Sequence, residues 1–458
     1  MRYWILFSVL ILVFSATSCS DDDFNSSPNV QLVFSSDTLS FDTLFTGIAS
    51  ATLQVKVYNK SSNNVLIRNI ELGQKEESKF RLNINGIAKN CIQDVELRAK
   101  DSLYIFVETT PESGNRDLPF LLKDSIVFEL GEKEQDIKLR AWGQDVHLLK
   151  DQSLRTQTWT GLRPYLVYGK LVVEENETLT IEPGTSIFFH RNAGLEVKGT
   201  LKVEGNLEFP VSMQGDRLED LYEDVPGQWE GVKFLSGSRK NQISHLLLKN
   251  AKYGLVLESD SPDQIIDMDL SCARIMNMTN QGVKMKNAAL VGNNLLLANC
   301  GKQLLQIEET GSVEVYHSTF ANYWGLSFRA VAAVDLDLQS GEAGKVKMGN
   351  CIIYGNSGNE LVFGGLADPG SWSFENCLIR NESGNLAVDS DIFKNCLFNE
   401  APLFVDNTGL DYRLLVNSSA VDAGNQPIGS LFPFDLIGTN RTLDVAPDIG
   451  AFEYVEEE

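Results

Sequence analysis

The protein is a chain of 458 residues, of which 43% are hydrophobic, and its formal net charge is −23. This length and composition predict a folded protein with a sizeable core and two domains. The acidic balance argues against a nucleic-acid partner, because nucleic-acid-binding surfaces carry an excess of Lys and Arg.

The first 18 residues predict a secretory signal peptide. Arg2 is followed by an apolar run, residues 3–16, which is shorter than the roughly 20 residues that span a bilayer. Residues 16–19, ATSC, resemble the lipobox of bacterial lipoproteins, and the resemblance implies that Cys19 becomes the first mature residue and carries lipid. The alternative is an ordinary signal peptide that is cut near Ser18, with an incidental Cys19.

Residues 19–29 predict an acidic tether. Ser20 is followed by Asp21, Asp22 and Asp23, and then by residues that favour flexible backbone. Ser20 and the three aspartates resemble the export signal by which Bacteroidota lipoproteins reach the outer face of the outer membrane. The resemblance implies a protein that is held in the outer membrane by its lipid anchor and exposed at the cell surface. The alternative is that the aspartates only keep the tether solvated.

Residues 30–146 predict an N-terminal β-sandwich. About seven short segments, such as ATLQVKVYN and DSLYIFVET, alternate between apolar and polar residues and are separated by turn-rich pieces. The order of the segments resembles the immunoglobulin-like domains of bacterial surface proteins and of the abnormal-spindle family. Residues 147–159 lack sustained alternation, so the predicted boundary lies between about 145 and 160.

Residues 160–455 contain a repeat in which apolar segments end in asparagine. The segments end, at intervals of 18 to 34 residues, at Asn250, Asn277, Asn299, Asn322, Asn356, Asn381 and Asn399. Such a repeat predicts a solenoid, and the short segments without helical periodicity favour a parallel β-helix. We expect the asparagine amides to stack and bond between coils, with an insertion at 337–345 to restore the register before Asn356. Cys351, Cys377 and Cys396 should point into the core as small apolar residues.

The β-helix region also resembles a known superfamily. TLTIEPGTSIFF at 178–189 and GQWEGVKF at 227–234 resemble coils of the right-handed parallel β-helix proteins of the pectate-lyase-like superfamily. The run PDIGAFEY at 447–454 resembles the closing segment of secreted bacterial members. We interpret this run as a cap, in which Phe452 and Tyr454 cover the open core of the last coil and protect its strand edge. The predicted fold class is therefore all-β, an immunoglobulin-like β-sandwich followed by a right-handed parallel β-helix.

Two carboxylate pairs are candidates for binding a ligand. Asp267 and Asp269, and likewise Asp335 and Asp337, are two residues apart, so on a strand each pair points to one side at a separation of roughly 7 Å. Such a pair can hold a cation such as Ca²⁺ or frame a glycosidic bond. The same alternation is typical of any strand that faces solvent. Apart from this calcium hypothesis, the sequence indicates no metal and no cofactor.

Aromatic residues are the second group of candidates. Tyr323 and Trp324, with Phe328 in the same stretch, are suited to stacking on sugar rings if their faces are exposed, and packing in the core is the alternative. His245 and His317 occupy the same place in their coils, which favours a structural role.

The sequence predicts a cell-surface lipoprotein whose β-helix binds or scaffolds a ligand, with carbohydrate as the class that the fold resemblance implies. The alternatives are a polysaccharide lyase or glycosidase that acts in a groove of the β-helix, and a purely structural surface protein. Three or more acidic and basic groups that converge on one groove would favour the enzyme. No catalytic residue is assigned, and the oligomeric and disulfide states stay open.

Overall fold

The structure is a computed structural model that describes residues 31–338, 344–364, 371–384, 386, 388, 391–443 and 445–456. The predicted signal peptide, tether and lipid-bearing Cys19, with Ser20 and the three aspartates, lie outside the described residues. The chain divides into two compact units, one that ends at Asp145 and one that begins at Val146. No helix of the described residues is long and apolar enough to cross a membrane.

In the described residues from 31 onward, the first unit is a β-sandwich of ten strands. In chain order they are β1 (Val33–Phe34), β2 (Thr38–Phe45), β3 (Leu53–Tyr58), β4 (Val65–Leu72), β5 (Phe80–Ile84), β6 (Ile87–Ala88), β7 (Cys91–Leu97), β8 (Ser102–Thr109), β9 (Phe120–Leu130) and β10 (Lys133–Gln144). One sheet has the order β1-β3-β8-β5-β6 and the other β2-β10-β9-β4-β7. The alternation of the sequence sets the core: in β3, Val55 and Val57 are buried while Lys56 between them is not.

The second unit is a parallel β-helix, and the part of it that the structure describes has 26 strands in one continuous ladder. They are β11 (His147–Leu154), β12 (Gln157–Trp159), β13 (Tyr165–Val173), β14 (Thr178–Ile181), β15 (Ser186–Phe189), β16 (Gly194–Val197), β17 (Thr200–Glu204), β18 (Val211–Gly215), β19 (Gly231–Leu235), β20 (Asn241–Ser244), β21 (Leu246–Lys249), β22 (Leu255–Glu258), β23 (Ile266–Ser271), β24 (Arg274–Met278), β25 (Val283–Asn293), β26 (Leu296–Cys300), β27 (Leu305–Tyr316), β28 (Thr319–Asn322), β29 (Val334–Leu338), β30 (Gly344–Gly349), β31 (Ile352–Gly355), β32 (Leu361–Gly364), β33 (Trp372–Glu375), β34 (Leu378–Ile379), β35 (Phe393–Lys394) and β36 (Leu397–Phe398).

Strand pairing between successive coils defines three faces. Face A contains β16, β19, β22, β29 and β32; face B contains β12, β14, β17, β20, β23, β30, β33 and β35; face C contains β15, β18, β21, β24, β26, β28, β31, β34 and β36. The longer strands bend around a corner and belong to two faces: β11 and β13 run from C to A, and β25 and β27 from A to B. The predicted fold class, a β-sandwich followed by a parallel β-helix, is confirmed.

The first coil starts earlier than the sequence predicts. Residues 147–159, expected to join the two domains, form β11 and β12 of the β-helix. His147–Lys150 pair in register with β13, and Gln157–Trp159 pair with β14. The weak alternation of this segment follows from its position at the end of the solenoid, where most side chains of β11 are exposed.

The corner between faces B and C repeats the same backbone conformation in seven successive coils. Its central residue has φ between 45° and 52° in each case: His245, Cys272, Asn294, His317, Asn350, Asn376 and Asn395. Asparagine adopts this left-handed conformation more readily than most residues, which explains its frequency there. His245 and His317 do occupy equivalent structural positions, as predicted.

The cysteines that follow three of these corner asparagines point inward. Cys351 and Cys377 are fully buried in the core and Cys396 packs against it, which confirms the prediction. All six described cysteines are free thiols. Burial and the neighbouring Cys351 thiol raise the pKa of Cys377, so Cys377 stays protonated and behaves as a small apolar residue.

The predicted asparagine ladder lies at the other corner, between faces C and A, and is only partly correct. Asn299 Nδ2 donates to Asn277 Oδ1 at 2.7 Å, which is the expected bond between coils. Asn322 instead accepts from the Cys300 N–H at 3.1 Å and donates to the Lys302 carbonyl at 2.8 Å. Asn356 is out of step, because Asn322 pairs with Gly355.

The predicted insertion at 337–345 is correct in part. Leu338 pairs with Glu309 and Gly344 pairs with Gly311, so the five residues 339–343, which lie outside the described residues, correspond to the single residue 310 of the preceding coil. A second insertion, which the sequence did not predict, is the loop of residues 323–333 between β28 and β29. A buried ion pair holds the loop: Arg329 donates to both carboxylate oxygens of Glu360, at 2.9 and 2.5 Å. Two buried charges are tolerated because Glu360 also accepts from the N–H groups of Ser357 and Ala333.

The C-terminal segment, defined as residues 400–443 and 445–456, lies along face C rather than over the end of the solenoid. It contains β37 (Phe404–Asp406), β38 (Asp411–Leu414) and α1 (Gln426–Leu431). The prediction that Phe452 and Tyr454 cover the open core is therefore wrong. Phe452 packs with Leu296, Ala298 and Ala321, and Tyr454 packs in a second cluster around Ile352 and Leu378.

The physical reason is the composition of face C. Leu296, Ala298, Ala321, Ile352 and Leu378 point away from the core, so this face is apolar on both sides and must be covered. Corner asparagines fix the cover by hydrogen bonds. Asn350 Oδ1 accepts from the Asn425 N–H at 2.7 Å, and Asn376 Nδ2 donates to the Ala423 carbonyl at 2.9 Å.

We predict that Asn322→Leu lowers the free energy of unfolding by about 1–3 kcal/mol, because the change leaves the buried Cys300 N–H unpaired and also removes the hydrogen bond to the Lys302 carbonyl. The matched control is Gln242→Leu, at an exposed strand position, which should change the free energy of unfolding by no more than about 0.5 kcal/mol. A denaturant titration measures both, and equal effects would contradict the structural role of Asn322.

We predict that Phe452→Ala loosens the C-terminal segment and lowers the free energy of unfolding by about 3–5 kcal/mol, as expected for a buried phenylalanine. Phe452 is 6% exposed, whereas Phe434 in the same segment is 56% exposed and provides the control variant Phe434→Ala. Limited proteolysis should release the segment from the first variant before the second. Identical digestion of the two variants would show that Phe452 does not hold the segment.

Candidate functional site

The two predicted carboxylate pairs lie on different faces and do not form one site. Asp267 and Asp269 are exposed on β23 of face B, where Asp267 accepts from the Lys240 N–H at 2.7 Å. Lys202 and Lys240 line the same open depression, which has a volume of about 410 Å³. The pair thus shares its surface with cations of neighbouring coils.

Asp335 and Asp337 lie on β29 of face A. Asp335 accepts from Gln303 Nε2 at 3.1 Å, and burial raises its pKa above the ordinary value. The Gln303 hydrogen bond opposes this shift, while the charges of Asp337 and Glu308 add to it. No group of three or more His, Cys, Asp or Glu side chains in the described part of the chain is arranged to hold a metal ion.

The predicted aromatic pair is used in packing. Trp324 is 6% exposed and donates from Nε1 to Ser327 Oγ at 2.9 Å, so the structure contradicts its role in stacking on a sugar. Tyr323 packs edge to face with Phe404 of the C-terminal segment, with ring centroids 6.1 Å apart. The exposed ring of this loop is Phe328, which is 92% exposed.

A concave surface with six charged side chains lies elsewhere on face A. We call it the charged groove and define it by Lys170, Glu196, Glu230, Lys233, Tyr253, Glu258 and Lys284. It has a volume of about 420 Å³ and crosses β13, β16, β19, β22 and β25. It lies in the early coils, whereas Asp335 and Asp337 lie further along the same face.

The register between coils produces the groove. Glu196 pairs with Lys233, Lys233 with Val256, and Val256 with Lys284. These residues therefore form one outward column, in which the buried Val256 provides an apolar floor between two lysines. The half-buried ring of Tyr253 lines the groove at the corner that precedes β22.

Glycine allows the coils to approach closely at the edge of the groove. Gly231 has φ +112°, and a Cβ there would lie 2.1 Å from the Tyr253 carbonyl oxygen. A Cβ at Gly254 would lie 2.1 Å from the Gly282 carbonyl oxygen. Any larger residue at either position would push neighbouring coils apart, so the column of outward residues depends on these glycines.

Ion pairs connect the charged groups across the coils. Lys170 Nζ lies 2.6 Å from Glu196, and Lys233 and Lys284 lie 2.8 and 2.9 Å from Glu258. Burial alone would raise the pKa of Glu258, but the hydrogen bonds from both lysines outweigh it and hold the pKa below its usual value. Burial alone would lower the pKa of Lys284, but Glu258 and Glu308 raise it. Both groups are therefore charged at neutral pH.

A histidine–aspartate pair lies at the same corner of the solenoid, two residues before Asn192, which lines the groove. His190 Nδ1 and Asp216 Oδ2 are 2.7 Å apart. The Tyr168 ring stacks on the imidazole with centroids 4.1 Å apart, and burial, with a contribution from Asp216, raises the pKa of Tyr168. The three residues occupy equivalent positions in successive coils, one step beyond the paired strands of face C.

Sequence reasoning missed the charged groove. The signal is present: alignment on Gly194, Gly231, Gly254 and Gly282 places Glu196, Lys233, Val256 and Lys284 in one column. Alignment on the terminal asparagines, by contrast, does not bring this column out. Residues 216–230, which are rich in aspartate and glutamate, connect β18 to β19, and there the Arg217 guanidinium lies 3.9 Å from the centre of the Tyr222 ring.

The sequence matches no protein-family model and no curated protein. Parts of the chain resemble solved structures, with 8–11% identity and TM-scores of 0.18–0.19. They include a family 123 glycoside hydrolase from Clostridium perfringens, involved in glycolipid glycan hydrolysis, at 8% identity and TM-score 0.19, covering 25% of this chain and 26% of that chain. A PapD-like domain of human CEP192 matches at 8% identity and a TM-score of 0.18, covering 28% of this chain and 95% of that chain. A Porphyromonas gingivalis W83 protein of unknown function matches at 10% identity and a TM-score of 0.19, covering 28% of this chain and 60% of that chain.

The chain thus spans about a quarter of the glycoside hydrolase and three fifths of the P. gingivalis protein. At TM-scores this low, the similarities carry no argument about function.

Proposed function

We propose that the protein is a lipid-anchored cell-surface protein whose β-helix binds carbohydrate in the charged groove. The observation that supports the binding function is the lining of this groove. Ammonium groups donate hydrogen bonds, carboxylates accept them, and Val256 and Tyr253 present apolar surface. Sugars carry hydroxyls that both donate and accept, together with C–H faces that pack on apolar atoms and rings.

The anchoring proposal rests on the sequence of residues 1–23. The short apolar run, the small residues before Cys19 and the aspartates after it support a lipoprotein that is exported to the cell surface. In this proposal the anchor holds the chain in the outer membrane, and the acidic tether keeps the folded units away from the headgroups. Burial of acyl methylenes at about 0.8 kcal/mol each would hold a multiply acylated cysteine firmly.

The second candidate function is a polysaccharide lyase or glycosidase. Two observations favour it: six acidic and basic groups converge on the groove, and His190 with its partner Asp216 lies beside it. An aspartate that accepts from Nδ1 orients the imidazole and leaves Nε2 available for proton transfer. This candidate differs from the binding proposal in one outcome, the cleavage of a bound glycan.

We predict that the Cys19→Ser protein leaves the membrane fraction. The control is Cys91→Ser, which removes an exposed free thiol of the folded chain and should leave the protein in the membrane. Replacement of Asp21, Asp22 and Asp23 by Ala should retain membrane association but reduce cleavage by an external protease. Membrane retention of Cys19→Ser would overturn the anchor, and unchanged protease exposure of the triple variant would overturn the surface signal.

We predict that the full-length protein is retained on at least one member of a polysaccharide panel, and that Tyr253→Ala weakens this retention about 2–10-fold through the loss of a stacking ring. Tyr104→Ala, at an exposed ring of the sandwich, is the control. Affinity electrophoresis measures retention, and reducing-end and unsaturated-product assays on the same panel detect cleavage. Retention on no glycan would contradict the binding function. Cleavage that His190→Ala abolishes would establish the enzyme instead.

A further inference from the structure

Every lysine that lines the charged groove already has a carboxylate partner within it or at its edge. Lys170 pairs with Glu196 at 2.6 Å, and Lys233 pairs with Glu258 at 2.8 Å. Lys284 lies between two carboxylates, 2.9 Å from Glu258 and 3.7 Å from Glu308.

The carboxylates of the groove are matched in the same way. Glu230, which has no lysine among the groove residues named above, lies 2.6 Å from Lys252, and this lysine also lies 3.3 Å from Asn192 Oδ1. The lining contains three lysines and three glutamates, so its formal charge is balanced. The groove is therefore an electrically neutral surface on a chain with a net charge of −23.

The central ion pairs are also difficult to open. The side chains of Lys284 and Glu258 are 24% and 27% exposed, and Glu258 bridges two lysines. An anionic glycan would need an unpaired ammonium group in the groove. To obtain one, it would have to displace Glu196 from Lys170, or Glu258 from Lys233 and Lys284. It would also approach a strongly acidic protein against long-range repulsion. No comparable penalty applies to a ligand without charge.

Uncharged hydroxyls fit this arrangement without breaking it. An ammonium group has three donors and a carboxylate has about four acceptor sites, so each ion pair retains hydrogen-bonding capacity toward solvent. A row of hydroxyls can accept from the lysines and donate to the glutamates at the same time. Charge-assisted hydrogen bonds of this kind are stronger than neutral ones.

We propose that the charged groove selects neutral glycans over glycans that carry carboxylate or sulfate groups. The inference rests on the proposed carbohydrate-binding function and specifies its ligand class. Selection follows from the internal pairing of the charges, and Glu258 is the residue that enforces it, because its carboxylate pairs with two lysines at once.

The test compares two sets of probes on the full-length protein and on two variants. The neutral set is β-glucan, xylan, mannan and dextran, and the anionic set is polygalacturonate, alginate and dextran sulfate. Glu258→Gln removes the shared carboxylate. Glu174→Gln is the matched control, because Glu174 pairs with Lys198 outside the groove and the change in net charge is the same. Thermal unfolding of each variant confirms that it is folded.

We expect the wild type and Glu174→Gln to be retained on a neutral glycan and not on the anionic set. Glu258→Gln should lose neutral-glycan retention about fivefold or more and gain retention on an anionic glycan that added salt abolishes.

Equal or stronger wild-type retention on an anionic glycan would overturn the inference while leaving the binding function intact. The inference would also fail if Glu258→Gln and Glu174→Gln behaved alike on both sets. Retention on neither set would overturn the proposed function itself.

Discussion

The in-register pairing of successive coils is the constraint on which the rest of this β-helix depends. In a parallel ladder with strands about 4.8 Å apart, each residue lies between its equivalents in the coils before and after it. A backbone conformation at one corner must therefore recur at the next. Seven corners have φ between 45° and 52°, and asparagine or histidine occupies six of them, at 245, 294, 317, 350, 376 and 395, which shows this requirement directly. The same register stacks Cys351 and Cys377 in the core.

This constraint also determines which surfaces remain available to a ligand. Face C is apolar on its outer side in the later coils and is covered by the C-terminal segment, which the corner asparagines 294, 350 and 376 hold by hydrogen bonds. Faces A and B keep polar outer columns. On face A the glycines at the preceding corner bring the coils close together, so that lysines and glutamates of successive coils meet as ion pairs. The groove is thus a product of the same repeat that builds the core.

The fold could be predicted from the sequence because periodicity of two and a repeat of apolar segments determine inward and outward positions. The inward cysteines and the equivalence of His245 and His317 followed from this pattern alone. What the pattern does not determine is which residues meet across coils. A single shift, Asn322 opposite Gly355, breaks the asparagine register, and the loop 323–333 that follows Asn322 has no periodic signal. The predicted position of PDIGAFEY over the last coil was wrong for a related reason. The motif predicts that the segment covers part of the β-helix, but the outward side chains of Leu296 and Leu378 determine which part it covers.

The pKa values of the groove residues distinguish a binding site from a catalytic site better than the number of charged groups does. A general acid must hold a proton at neutral pH, and a general base must be able to lose one. Glu258 has a lowered pKa between two lysines, and Lys284 has a raised pKa between two glutamates, so neither is suited to proton transfer. The convergence of charged groups on one groove would by itself favour an enzyme. Here the groups pair with one another, and the pairing keeps Glu258 and Lys284 ionised. Any acid–base chemistry at this corner would have to come from His190, held by Asp216 and stacked on Tyr168, rather than from the paired lysines and glutamates. The two functions are therefore carried by different residues of one surface, and substitutions can separate them.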